Sequence, residues 1–366
     1  MTKSEKIKKL KKMSKYIRMS ALDVILTANN GHIGGNLSSV ELLTALYFCG
    51  EFHFDLNDSK NENRDRVLIR GHEGPLRYTI FSLLGYINQD ELKTYRAFGS
   101  RLQGHEDMHE TPGVDITPSG SLGMLLSYGV GSCISNKDKN LDTKTVVFLG
   151  DGEEQEGNVA EAARNAATIG LDNLICILDQ NKKQLSRPTE YSDGKADVKK
   201  IWEGYGWDVL EIENGNDIEQ VMDVYSKLSN IKRPTLVIAH TTKGLGVIDA
   251  QKHFSGYHTL SAANNKQIVI DSLQNMKKEL EQEGISYELV KKYAKELISI
   301  PPVVTFVEEK TNNSVYDINL NKTGISMEDA KELYVMELKK RIKETKQNSN
   351  FYFVTPDLLR SDIVEE

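Results

Sequence analysis

Residues 145–181 read TVVFLGDGEEQEGNVAEAARNAATIGLDNLICILDQN, and this stretch decides the fold. Thr145–Leu149 (TVVFL) and Leu174–Leu178 (LICIL) are short, nearly continuous apolar runs, the pattern of strands buried on both faces of a parallel sheet. Between them Gly157–Ile169 is of helix length and rich in alanine, so strand, helix and strand form a βαβ unit. The first strand runs directly into Gly150-Asp151-Gly152-Glu153-Glu154-Gln155-Glu156-Gly157, and the second into Asp179-Gln180-Asn181. Open α/β sheets bind ligands beyond the C-terminal ends of their strands, and βαβ geometry puts these two ends on one edge. A carboxylate and an amide oxygen there suit a hard cation such as Mg²⁺, which completes its shell with water and phosphate oxygens. The glycines let a diphosphate approach the backbone. A tight glycine turn with an Asp helix cap, without any ligand, explains the same residues.

Thr235–Ala239 (TLVIA) reads as a third buried strand, and the region to about residue 262 reads as α/β. Ile7, Leu10, Met13, Ile17, Leu22 and Ile25 recur at helical spacing and end at Ala28-Asn29-Asn30-Gly31. Residues 264–300 look like charged helix, stopped by Pro301-Pro302, and 303–325 has the aperiodic character of a linker. Ser326-Met327-Glu328-Asp329 resembles a capping box, followed by apolar Ala330, Leu333, Leu338 and Ile342, and Phe351–Thr355 (FYFVT) reads as a strand. One helix and one strand cannot bury a core, so the C-terminal extension is expected to begin a second α/β domain. The expected division is 1–262, 263–325 and 326–366.

The chain has 366 residues, with 46 Lys+Arg against 53 Asp+Glu and a net charge of −7. That balance argues against nucleic acid or an anionic membrane as the main partner, since both attract basic surfaces. No run reaches the roughly 18 apolar residues of a membrane helix, and no apolar signal core follows the basic N-terminus. Cys49, Cys133 and Cys176 each lie in an apolar run, which points to a reducing, cytoplasmic setting rather than a disulfide framework.

No G-x-G-x-x-G joins a strand to a helix: Gly129-Val130-Gly131 and Gly244-Leu245-Gly246 lack the third glycine, and no Walker A motif occurs. His105-Glu106-Asp107-Met108-His109 matches the zinc-protease pattern H-E-x-x-H literally. That chemistry needs both histidines on one helix face, and the flanking Gly104 and Pro112-Gly113 leave no room for the helix. Four of the eight histidines sit in glycine-flanked polar loops: Gly31-His32-Ile33-Gly34-Gly35, Gly71-His72-Glu73-Gly74, Gly104-His105 and Gly256-Tyr257-His258. Together they suggest a polar pocket, since imidazoles hydrogen-bond hydroxyls and developing oxyanions near neutral pH.

These residues resemble transketolase, the thiamine-diphosphate enzyme, in its N-terminal diphosphate-binding part, from residue 10 to about 262. Gly31–Gly35 resembles the family's G-H-x-G-G, and Gly71-His72 its G-H-A segment. Ser100–His105 (SRLQGH) with Pro112-Gly113-Val114 resembles its substrate loop. Ser119-Gly120-Ser121-Leu122-Gly123 resembles T-G-S-L-G, and Gly150–Gly157 with Asn181 the thiamine-diphosphate motif. The resemblance implies a thiamine-diphosphate-binding fold, a parallel sheet flanked by helices. It implies that Asp151, Asn181 and the Lys183 carbonyl hold Mg²⁺ against the diphosphate. Gly152, Gly120, Ser121, Leu122, His72, Asn181 and His258 would contact thiamine diphosphate, and His32, His105 and His258 would face the sugar. Glu156 would belong to a carboxylate network at a subunit interface. Lys183, Pro118, Met124 and Leu125 depart from the family pattern.

The implied activity is transfer of a two-carbon ketol unit from a ketose to an aldose, in carbohydrate metabolism. Deoxyxylulose-phosphate synthesis, ketol transfer in a specialised pathway and cofactor binding without turnover are the alternatives. In transketolases the carboxylate that activates the cofactor comes from the pyrimidine-binding domain of the opposing subunit. Here that domain would begin near Ser326, so a separate C-terminal transketolase subunit is expected, in a heterotetramer, and the chain alone should be inactive.

Overall fold

In the computed structural model the described residues are 1–116, 120–192 and 196–299. Five strands, β1 Arg66–Leu68, β2 Thr145–Gly150, β3 Leu174–Gln180, β4 Asp208–Ile212 and β5 Thr235–His240, form one parallel sheet in the order β1-β2-β3-β5-β4. The three strands expected from apolar runs are the three central ones. Nearly every residue of β2, β3 and β5 is buried, because helices cover both faces of the sheet. The two strands not anticipated are the edges: β1 is three residues long, and in β4 (DVLEI) only Ile212 is buried. A half-solvated edge strand carries no continuous apolar run.

The expected helix Gly157–Ile169 forms, and Gly170 ends it at a φ of 73°. The N-terminal helix spans Lys3–Thr27 and is closed by a capping box: Glu5 N–H donates to Thr2 Oγ1 at 3.2 Å, and Thr2 N–H to the Glu5 carboxylate at 2.8 Å. The charged segment after Ala262 is two helices, Lys266–Gln282 and Tyr287–Leu297. Gly284 breaks it, in the left-handed region at φ 64°, and the Ser286 hydroxyl caps the second helix. Both pack on Lys3–Thr27, with Lys277–Asp23 at 2.9 Å and Lys9–Glu296 at 2.5 Å on the rim.

The chain divides into two units, Met1–Val304 and Thr305–Glu366. The expected linker 303–325 and second domain 326–366 lie outside the described residues, as does Pro118. Cys49, Cys133 and Cys176 are buried free thiols. Among the described residues no helix is long and apolar enough to cross a membrane.

Candidate active site

The register of β2 on β3 pairs Gly150 with Asp179, so the residues that follow each strand meet at one edge. Asp151 is buried, and its Oδ2 accepts the backbone N–H of Asn181 at 2.9 Å and of Lys182 at 3.0 Å. Lys182 adopts a φ of 62°, which turns the chain around the carboxylate. The Asn181 amide donates to Asp179 Oδ2 at 3.0 Å, while its Oδ1 accepts the Lys183 N–H at 3.2 Å. Burial, with the Asp179 charge adding to it, pushes the Asp151 carboxyl up to about 7. The unexpected Lys183 side chain leaves this edge: its Nζ donates to the Gln251 and His253 carbonyls at 2.6 and 3.0 Å. Its carbonyl accepts the Lys243 ammonium at 2.8 Å. Burial pulls Lys243 down to about 8.

Beneath this edge lies a buried charge network that the spacing of the sequence does not announce. Arg70 Nη2 donates to Ser39 Oγ at 2.8 Å, to Asp179 Oδ2 at 2.9 Å and to Glu73 Oε1. Asp179 also accepts from Ser38 Oγ at 2.7 Å and from Thr241 Oγ1. Burial works against its ionisation, but Arg70 and the hydroxyl donors outweigh it and hold the carboxyl below the ordinary range. Asp179 thus fixes the Asn181 amide through a neighbour that is itself locked. Glu153 is a further buried carboxylate: it accepts the Gly123 N–H at 3.1 Å, and burial raises it to about 7. Arg70 and Glu73 flank a histidine motif, and Glu153 lies inside the Gly-Asp-Gly run. A charged residue inside a glycine-rich loop that joins buried elements is the signal that could have found them.

Three of the loop histidines converge. The ring centroids of His32 and His72 are 5.3 Å apart, those of His32 and His258 5.1 Å, and those of His72 and His258 5.5 Å. Burial, reinforced by His258, Arg96 and His105, lowers His32 to about 3. Burial with the charges of Lys243 and Arg70 lowers His258 to about 4, and His72 falls well below its ordinary value for the same first reason. All three are neutral at pH 7, and each can donate one hydrogen bond and accept one. The buried Nδ1 of His32 has no hydrogen-bond partner among the described residues. His105 lies nearby, close to exposed Gly120, where an added Cβ would be 3.9 Å from its Nδ1. With Asn30, Arg96, Ser100 and Gln103 it lines a cavity of about 820 Å³.

The remaining candidates are more peripheral. Ser121 and Leu122 are exposed beside Gly120, and Gly152 faces Gln184, whose Cγ would be 3.8 Å from an added Cβ. Glu156 is exposed at the start of the helix Gly157–Ile169, with its Cβ 2.7 Å from where a Cβ on Gly123 would stand. The HEDMH segment is a loop, as its flanks require. Its Glu106 is buried 3.1 Å from Arg77, whereas His109 is exposed, so no zinc-binding helix face exists. No group of three or more His, Cys, Asp or Glu side chains could hold a metal among the described residues. A Mg²⁺ site built from one carboxylate, one amide and one carbonyl needs no such group.

The residues fit a diphosphate cofactor with a divalent cation. The donor set at the ends of β2 and β3 is all oxygen, and the His32 Nδ1 is buried without a hydrogen-bond partner among the described residues. The floor is glycine: a Cβ on Gly34 would stand 2.5 Å from the Gly256 carbonyl, and one on Gly35 3.0 Å from His72 Nε2. Fold and site together define an α/β protein with a polar, glycine-lined site at the C-terminal ends of its parallel strands. The chain belongs to the transketolase family: residues 9–293 match its thiamine diphosphate binding domain.

Two curated relatives are matched over nearly their whole length, and each is named as one subunit of a transketolase. That of the apulose-4-phosphate transketolase of Phocaeicola vulgatus is 34% identical over 280 residues, 76% of this chain and 98% of the relative. SqwG, a subunit of the 6-deoxy-6-sulfo-D-fructose transketolase of a Clostridium species, is 33% identical, over 75% of this chain and 97% of the relative. Among solved structures, transketolase of Campylobacter jejuni superposes with a TM-score of 0.68 at 26% identity, over 81% of this chain and 47% of that one. The chain therefore spans about half the length of the solved transketolases it matches.

Proposed function

We propose that this chain is the N-terminal, cofactor-binding subunit of a split transketolase, transferring a two-carbon ketol unit from a ketose to an aldose. The observation that carries this reading is the bond from the Asn181 N–H to Asp151 at one sheet edge, in a chain whose match covers nearly the whole length of relatives named as transketolase subunits. Asp151, Asn181 and the Lys183 carbonyl would hold Mg²⁺ against the diphosphate, and Gly120, Ser121, Leu122, Gly152, His72 and His258 would contact the cofactor. Bound thiamine diphosphate would supply the nucleophile and electron sink of the reaction. The chain's own part is orientation. His32, His105 and His258 would hydrogen-bond the hydroxyls and carbonyl of the sugar. The neutrality of His32 and His258 lets one ring nitrogen accept a proton while the other donates.

The names of the relatives support a partner that is a separate C-terminal transketolase subunit, and we place Glu156, exposed beside Gly123, at the interface of a heterotetramer. Residues 1–262 would form the diphosphate-binding domain, 263–325 a helical segment and linker, and 326–366 the start of the pyrimidine-binding domain. The buried free thiols support a reducing, cytoplasmic setting in carbohydrate metabolism. The substrates in the relatives' names, a phosphorylated and a sulfonated sugar, support a polyhydroxylated ketose donor. Calorimetry with thiamine diphosphate and Mg²⁺, followed by a turnover assay with the partner, tests the reading: binding must require both, and turnover must follow.

A further inference from the structure

Residues 104–113 carry His105 on the wall of the large cavity, and they are fastened from beneath. Loops ordinarily keep their charges in water. Here Glu106, the residue after His105, is only 3% exposed, and Arg77, on the helix Gly74–Leu84, is fully buried. Arg77 Nη1 stands 3.1 Å from Glu106 Oε2, and Arg77 Nη2 donates to the Gly113 carbonyl at 3.0 Å. One guanidinium thus ties both ends of the loop to one turn of helix. Tyr78, the next residue on that helix, is also buried and donates its hydroxyl to the Gln103 carbonyl at 2.9 Å. His105 is therefore held between an anchor two residues before it and one immediately after it. Beyond Gly113 the fastening continues: Asp115 accepts from Arg64 Nη1 and from the Val67 N–H of β1, each at 3.1 Å.

A buried ion pair is a poor source of stability. Desolvating both charges offsets most of their attraction, and an apolar pair of similar volume commonly does as well or better. What the pair adds is geometry. A buried carboxylate is satisfied only against its guanidinium, so the loop has one position in which that charge is compensated. Apolar side chains would accept neighbouring positions. Neither Arg77 nor Glu106 lines the cavity, so any effect of theirs on a bound molecule passes through the loop.

We infer that Arg77 and Glu106 are positioning residues for the sugar: their ion pair holds the loop so that His105 presents its imidazole to the cavity. The inference rests on His105 as a sugar contact, proposed above.

The test removes both charges at once, Arg77→Met with Glu106→Met, because either change alone leaves a buried unpaired charge and confounds misfolding with function. The full chain is melted, titrated with thiamine diphosphate and Mg²⁺, followed by hydrogen exchange across residues 104–113, and assayed for ketol transfer with the partner subunit. The double variant should melt within a few degrees of wild type or above it, and bind thiamine diphosphate with unchanged affinity. Its loop amides, among them the Met108 N–H on the Ile116 carbonyl and the Thr111 N–H on the Asp107 carbonyl, should exchange about tenfold faster or more. The KM for ketose should rise about tenfold or more, and kcat should fall by less, because the sugar loses a placed contact. Loop exchange or a ketose KM at the wild-type level would overturn the inference. A double variant that melts far below wild type, or that loses cofactor affinity in step with the sugar, would make the pair a support of the fold at large and overturn it too. Failure of the functional reading would show separately, as wild type that turns over no ketose with the partner; the exchange result stands without it.

Discussion

Asp151→Asn should make the ligand-free protein more stable and its cofactor site useless. The carboxyl is buried, and its Oδ2 accepts two backbone N–H groups, which an amide oxygen of the same shape can also accept. Burial and the nearby Asp179 raise it from 3.8 to about 7. A group raised in the folded state disfavours folding once it ionises. The cost is therefore absent below about pH 4, grows between there and pH 7, and is complete above it. The rise from 3.8 to about 7 corresponds to at most roughly 4 kcal/mol, because a buried site relaxes around its charge. At about 2 °C per kcal/mol for a unit of this size, Asp151→Asn should melt several degrees above wild type at pH 8 and with it at pH 4. Calorimetry on the same samples should find Mg²⁺-dependent thiamine-diphosphate binding lost, since the only carboxylate ligand has gone. Equal melting at pH 8 would refute the burial account, and unchanged affinity in Mg²⁺ would refute the metal assignment.

Gly34→Ala would bring a Cβ within 2.5 Å of the Gly256 carbonyl and 2.8 Å of the Lys243 stem, so thiamine-diphosphate affinity should fall more than tenfold by calorimetry. Arg70→Met strands Asp179 and Glu73 as buried carboxylates, and urea unfolding at pH 7.5 should lose about 3–5 kcal/mol. His32→Ala should bind cofactor almost as wild type and lose roughly a hundredfold in turnover with the partner, because its role is on the sugar side. The opposite pattern, lost cofactor with kept turnover at saturation, would reverse the assignment.

How much of this is legible in the sequence follows from what burial does to a pattern. β2, β3 and β5 are covered on both faces, so each announces itself as an unbroken apolar run, and the Gly-Asp-Gly turn and Asp179-Gln180-Asn181 mark where they end. The edge strands β1 and β4 carry Arg66, Asp208 and Glu211 toward solvent and leave no such run. The histidines stand out by their glycine flanks, yet the convergence of three of them to within 5.5 Å depends on loops from separate places in the chain. Arg70, Glu73, Glu153 and Lys243 do not stand out, because a charged residue looks the same in one dimension whether it is solvated or buried. Only the fold removes them from water and turns them into a locked network of buried charges. The zinc-protease match at His105–His109 is the converse, a pattern without the helix that its chemistry needs.

The central claim is most directly tested by reconstitution: the purified chain and a C-terminal transketolase subunit, each by itself and then mixed, assayed for ketol transfer with thiamine diphosphate and Mg²⁺. The account predicts weak cofactor binding and no turnover from this chain alone, none from the partner alone, and both tight binding and turnover from the mixture. Full ketol-transfer activity from this polypeptide by itself, or a cofactor-loaded complex that turns over no ketose, would contradict it.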